Sequence, residues 1–86
     1  MIEMQGKTVL VTGGSRGIGA AATRTLVGVG ARVVIHYGRN RAAAETLAAS
    51  LPEGHCHLVA GDLAYAATTE AVWKDALAWQ GRIDVL

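Results

Sequence analysis

Cysteine and proline each occur once in this 86-residue sequence, and phenylalanine does not occur at all. The lone Cys56 has no partner in the chain for a disulfide, which agrees with a reducing compartment. Aromatic side chains are confined to two tyrosines and two tryptophans. Trp73 and Trp79 read as core and rim residues of one helix and not as a platform on which bases stack. Charge of one sign is lacking too. Eight basic residues stand against seven acidic ones for a net +1. The basic ones, Lys7, Arg16, Arg24, Arg32, Arg39, Arg41, Lys74 and Arg82, are scattered along the chain, so no basic stripe for nucleic acid is formed. No apolar run approaches the ~20 residues of a membrane span. The opening MIEMQGK lacks the charged-then-apolar design of a secretion leader. The expectation is a cytoplasmic protein with neither nucleic-acid nor membrane partners. No metal is expected either: His55, Cys56 and His57 are adjacent, but an extended chain splits them between two faces and no further ligand set accompanies them.

What the chain does have is apolar residues, 51% of the total, and eleven glycines, a globular composition. The polar lead-in Met1 to Gly6 precedes a β-branched, aliphatic first strand over Lys7 to Thr12. A helix starts near Gly17, with Ile18, Ala21, Ala22, Thr25, Leu26 and Val29 expected as its buried face. Gly28 and Gly30 punctuate its end, with Gly30 as a left-handed cap. Arg32 to Tyr37 reads as a second strand, ended by Gly38. Asn40 caps a second helix running through Leu51, whose face is Ala43, Ala44, Leu47, Ala48 and Leu51. Pro52, Glu53 and Gly54 break it. A third strand over His57 to Asp62 follows, then a third helix over Thr68 to Gln80 with Val72, Trp73, Ala76, Leu77 and Trp79 on its apolar stripe. Gly81 stops that helix, and Ile83 to Leu86 opens a fourth strand. Strands and helices alternating with short links predict an α/β fold: a parallel sheet with helices on both faces, joined by right-handed crossovers, in strand order 3-2-1-4.

The stretch KTVLVTGGSRGIGAA, Lys7 to Ala21, organises the rest. Gly13, Gly17 and Gly19 stand where the first strand feeds the first helix. Gly13 permits the sharp turn, Gly17 lets backbone approach a pyrophosphate with no Cβ in the way, and Gly19 lets the helix pack closely on the strand. Unpaired N–H groups and the positive end of the helix dipole then face the phosphates. Gly14 to Gly19 also has the spacing of a nucleoside-triphosphate loop, but Ala20 and Ala21 stand where Lys and Ser or Thr are required. A plain strand-to-helix turn with no ligand stays open as the alternative.

TGGSRGIG, Thr12 to Gly19, resembles the T-G-x-x-x-G-I-G cofactor fingerprint of the short-chain dehydrogenase/reductase family. GARVVIHYGRN (Gly30 to Asn40), AGDL (Ala60 to Leu63) and GRIDVL (Gly81 to Leu86) resemble further segments of that family in order and spacing. The resemblance spans almost the whole chain. It implies a Rossmann-type sheet of which residues 1–86 are the N-terminal part, running strand–helix–strand–helix–strand–helix–strand. The nearest branches are those of 3-oxoacyl-carrier-protein reductases and pteridine reductases. It also implies that Gly13, Ser15, Arg16, Gly17, Ile18 and Gly19 contact a nicotinamide dinucleotide.

In such folds a carboxylate at the end of the second strand binds the adenosine ribose and repels a 2′-phosphate. Here that end reads Tyr37, Gly38, Arg39, Asn40, and no acid is present. Arg39 and Arg16 offer planar guanidinium groups suited to phosphate, and by resemblance they mark members that prefer NADP over NAD. Tyr37 and Asn40 complete that end of the site. The competing reading is that Arg39, and more so Arg41, simply begin a solvated helix. Asp62 and Leu63 end the third strand at the carboxyl edge. The resemblance gives Asp62 a hydrogen bond to the adenine amino group and Leu63 a backbone contact to the ring, the alternative being that Asp62 caps the loop.

The family's catalytic Ser, the Y-x-x-x-K turn and N-N-A-G are not in this sequence: Tyr37 is followed four residues on by Arg41 and Tyr65 by Thr69. No catalytic residue is therefore assigned. Two readings stand. The chain is the cofactor-binding half of an NADP-dependent enzyme, the N-terminal part of a parent expected to be homo-oligomeric and to act on a carbonyl or alcohol, or it is a truncated, non-catalytic dinucleotide-binding module.

Overall fold

The computed structural model describes residues 5–13 and 17–84. Its elements are β1 (Thr8–Val11), α1 (Gly17–Gly28), β2 (Arg32–Tyr37), α2 (Arg41–Ala49), β3 (Cys56–Ala60) and α3 (Ala66–Gln80). The strands form one parallel sheet in the order β1-β2-β3, with Val9 opposite Val33 and Ile35 opposite Leu58. Parallel strands joined by helices bury both faces, which is why VLV and VVI are apolar without alternation.

Side chains of period two divide between two cores. Val9, Val33 and Ile35 meet Ala20 and Val27 of α1 and Leu47 of α2, with Cys56 and Leu58 packed against them. On the opposite face Leu10, Val34 and Val59 meet Val72 and Ala76 of α3, with Trp79 and Ile83 alongside. Two helices thus cover one face and the third covers the other. Ile35 and Leu47 are among the largest fully buried side chains, each worth about 1.5–3 kcal/mol of burial.

The reversal from one face to the other brings the chain back to β1. The N–H of Asp84 donates to the Thr8 carbonyl at 2.8 Å, and the Thr8 N–H donates to Oδ2 of Asp84 at 2.8 Å. Lys7, one residue earlier, accepts from Arg32 on the β2 side, so Asp84 occupies the other edge of β1. Ile83 and Asp84 do not form a strand, and Val85 and Leu86 lie outside the described residues. Of the expected order 3-2-1-4, the part 3-2-1 is observed for the three strands among the described residues, with the returning chain beside β1.

Two helix faces differ from expectation. In α1 the buried residues are Ala20, Thr23 and Val27, with Leu26 partly covered, whereas Ile18, expected inside, is 90% exposed. Apolar residues surround this helix, so their spacing does not fix its rotation. Thr23 is tolerated inside because its hydroxyl donates to the Gly19 carbonyl at 2.9 Å. In α3, Val72 and Ala76 face the sheet while Trp73 and Leu77 point outward, since neighbours on a helix sit on different faces. This helix also begins earlier than expected, at Ala66. α2 ends at Ala49 and β3 runs Cys56–Ala60, both shorter or earlier than expected. No helix among the described residues is long and apolar enough to cross a membrane.

Candidate functional site

The carboxyl ends of β2 and β3 open onto a pocket of about 310 Å³ lined by His36, Gly38, Arg39, Gly61, Asp62 and Leu63. Its position follows from the topology. Side chains leave β2 and β3 at the edge where the connections to α2 and α3 begin, which is where open α/β sheets receive ligands. The turn from β1 into α1 belongs to the same edge.

Gly13 and Gly17 both adopt positive φ, 63° and 56°, in the left-handed region that a Cβ disfavours. A Cβ at either would meet none of the described residues within 4 Å. These glycines are therefore required by backbone conformation, and among the described residues nothing crowds them. Gly17 opens α1, so the positive end of that helix lies at the turn. Gly19 lies in its first turn and accepts the Thr23 hydroxyl. Ile18 presents its side chain to solvent. Ser15 and Arg16 lie outside the described residues.

Arg39, exposed, lines the pocket beside Asp62. Asn40 is committed elsewhere: its Oδ1 accepts the Ala43 N–H at 2.9 Å and caps α2, as its sequence position predicts. Arg41 is committed too, its Nε donating to Oε1 of Glu45 at 2.6 Å. That hydrogen bond, with the nearby charge, raises the guanidinium further above its ordinary value. Of the two cations following β2, Arg39 alone faces the pocket. Tyr37 ends β2 with its side chain buried and away from the pocket lining. Its carbonyl accepts the Gly61 N–H at 3.2 Å.

Asp62 accepts the Ala64 N–H through Oδ1 at 2.9 Å, so one oxygen organises the loop, as the capping alternative anticipates, while the carboxylate still lines the pocket. Leu63 lines this pocket and also an apolar hollow of about 180 Å³ shared with Leu10, Thr12, Thr69, Val72 and Trp73.

Three contributors are not singled out by the sequence. His36, Gly38 and Gly61 all line the pocket. A polar residue at the end of the otherwise apolar run VVI was the available signal for His36, and a glycine directly before Asp62 was that for Gly61. Gly61 admits no side chain: a Cβ there would lie 2.5 Å from Thr68 Cγ2 and 2.8 Å from Val72 Cγ2.

His55, Cys56 and His57 separate as alternation requires. Cys56 packs into the α1/α2 core, and burial pushes its thiol up to about 11. His57 stacks on Trp79 at 5.4 Å, with Nε2 3.1 Å from Asp75 Oδ1. Among the described residues no group of three or more His, Cys, Asp or Glu is placed to hold a metal.

Comparison with known proteins bears on what this edge is for. The short chain dehydrogenase family model matches residues 7–86. An uncharacterised oxidoreductase of Methylorubrum extorquens is 34% identical over the whole of this chain and 36% of its own length. Elsinochrome reductase 1 of Elsinoe fawcettii is 34% identical over 96% of this chain and 32% of its own. Among solved structures, a mutant short-chain dehydrogenase/reductase of Serratia marcescens superposes with a TM-score of 0.90 at 33% identity, covering 98% of this chain and 36% of that one. A Bacillus thuringiensis protein described as a 3-oxoacyl-reductase shares the fold, with a TM-score of 0.87 at 24% identity over 93% of this chain and 34% of its own. The chain spans about a third of the length of the curated relatives it matches.

Proposed function

Because the chain belongs to the short-chain dehydrogenase family, we propose that it is the cofactor-binding half of an NADP-dependent oxidoreductase, its residues 1–86 being the N-terminal part of the nucleotide-binding domain. The observation that carries this reading is the pocket at the carboxyl edge, which Arg39 and Asp62 both line, with no acid directly after β2. The residues present fit a phosphorylated dinucleotide. Gly13 and Gly17 keep side chains away from the turn at the start of α1, leaving backbone and helix dipole to face a pyrophosphate. Arg39 supplies the cation for a 2′-phosphate, with Arg16 as a second. Asp62 and the backbone of Leu63 hold the adenine, while Ser15, Ile18 and Gly19 belong to the phosphate turn and Tyr37 and Asn40 to the ribose end. Asn40 acts there by shaping the α2 start, since its side chain is spent on the cap.

Held there, the nicotinamide would supply hydride-transfer chemistry, toward a carbonyl or from an alcohol substrate. This stretch of chain binds and orients; the proton-transferring Ser, Tyr and Lys are not among its residues, and it does not turn over by itself. The cytoplasm and a homo-oligomeric parent enzyme are carried on the same resemblance.

Arg39→Asp tests the reading. Loss of one charge-assisted contact costs about 1.5–3 kcal/mol, so NADPH should bind at least about tenfold more weakly. The introduced acid should favour the unphosphorylated ribose. Calorimetric titration should show the wild type preferring NADPH and the variant preferring NADH. Equal affinity of the wild type for both would overturn the NADP assignment.

A further inference from the structure

His36 sits on β2, 5% exposed, on the face that α3 covers. Both ring nitrogens are used. The Gly13 N–H donates to Nδ1 at 3.1 Å, so Nδ1 carries no proton. The single proton of the neutral ring is then on Nε2, which donates to the Gly61 carbonyl at 2.8 Å. One side chain thereby ties the turn after β1 to the segment that delivers Asp62, across the strand that delivers Arg39. The two tied segments are twenty-five and twenty-three residues from it in sequence, so no local structure fixes their separation. Neither end can be replaced by an alternative contact from a side chain of its own, since both are glycines. Thr68 and Val72 of α3 leave no room for a Cβ at Gly61.

Resting on the cofactor reading above, we propose that His36 is a positioning residue of the dinucleotide site. As the neutral Nε2–H tautomer, it sets the distance between the glycine turn and the Asp62 loop. The phosphate end and the adenine end of one ligand are then held in mutual register before the ligand arrives, which lowers the ordering cost of binding. The imidazole acts on the two loops and not on the 2′-phosphate. Its loss therefore weakens NADPH and NADH alike, unlike a change at Arg39.

Two measurements test this on the intact protein. Nitrogen-15 NMR of the imidazole should show an unprotonated Nδ1 and a protonated Nε2 without any ligand present; the opposite tautomer would overturn the clamp. Titration of NADPH and NADH into His36→Leu, which removes both hydrogen bonds, should show about a tenfold loss for each cofactor. His36→Asn, whose Oδ1 can accept the Gly13 N–H in place of Nδ1, should recover a large part of that loss. Unchanged binding by a folded His36→Leu, or equal losses in the leucine and asparagine variants, would overturn the positioning role. Should His36→Leu not fold, His36→Asn alone decides: the proposal then requires binding closer to wild type than tenfold weaker. A wild type with the expected tautomer that binds neither cofactor would instead refute the cofactor reading, and with it any positioning role for His36.

Discussion

Alanine at Gly61 and alanine at Gly38 should have opposite consequences, although both glycines line the same pocket. At Gly61 the new methyl would stand 2.5 Å from Thr68 Cγ2 and 2.8 Å from Val72 Cγ2, both well inside ordinary contact, which begins at 3.4 Å. Both neighbours are β-branched; on a helix valine is held near one χ1 rotamer and threonine is restricted to two. Val72 cannot swing aside, so α3 itself must move. Val72 and Ala76 would lose their seat on Leu10, Val34 and Val59, and the Gly61 carbonyl would shift from His36. Overpacking of this kind costs about 1–3 kcal/mol. At Gly38 a Cβ meets none of the described residues within 4 Å, and φ is outside the left-handed region. Alanine there restricts mainly the unfolded chain and should stabilise by about 0.4–1 kcal/mol. Urea titration of the two variants beside the wild type reads both effects as shifts of the unfolding midpoint, to lower urea for Gly61→Ala and to slightly higher urea for Gly38→Ala. Equal midpoints for the two variants would refute the close approach of α3 to the end of β3.

Two other outcomes follow from titratable groups. The Thr8 N–H, and after it Arg82, holds the Asp84 carboxyl below its ordinary value of 3.8. The stabilisation from this group is therefore complete above that pH and lost as pH falls through the lower folded value. Asp84→Asn should flatten the acid limb of stability against pH below 3.8; an acid limb identical to wild type would count against the pairing of Asp84 with β1. With its thiol raised to about 11 by burial, Cys56 should react with an aromatic disulfide reagent at pH 8 far more slowly in the native protein than in denaturant. Equal rates would show that Cys56 is not packed beneath α1 and α2.

Much of the framework was legible in the residues. Arg32–Tyr37 is bounded as expected because glycines flank a dense β-branched run, and Asn40 caps α2 because its short amide reaches the N–H three residues on. The alternation that separates Cys56 from His57 holds for the same local reason. The rotation of α1 was not legible, since Ile18, Ala20, Ala21, Ala22, Leu26 and Val27 leave no polar side to orient it. Trp73 and Leu77 misled because size and apolarity alone do not say which of two adjacent residues meets the sheet. In the site, the positions of Arg39, Asp62 and Leu63 followed from strand ends. The burial of Tyr37 and the two-sided use of His36 depend on contacts between segments distant in sequence, which no local pattern encodes.

The most direct test of the central claim is a backbone amide NMR titration of the protein with NADPH. Binding at the carboxyl edge predicts that the largest shifts fall on Gly13, Gly17, Gly38, Arg39, Asp62 and Leu63, while Glu45 on α2 and Asp75 and Trp79 at the far end of α3 stay in place. Saturable shifts centred on α2 or on the His57–Trp79 face, with Arg39 and Asp62 unmoved, would contradict it.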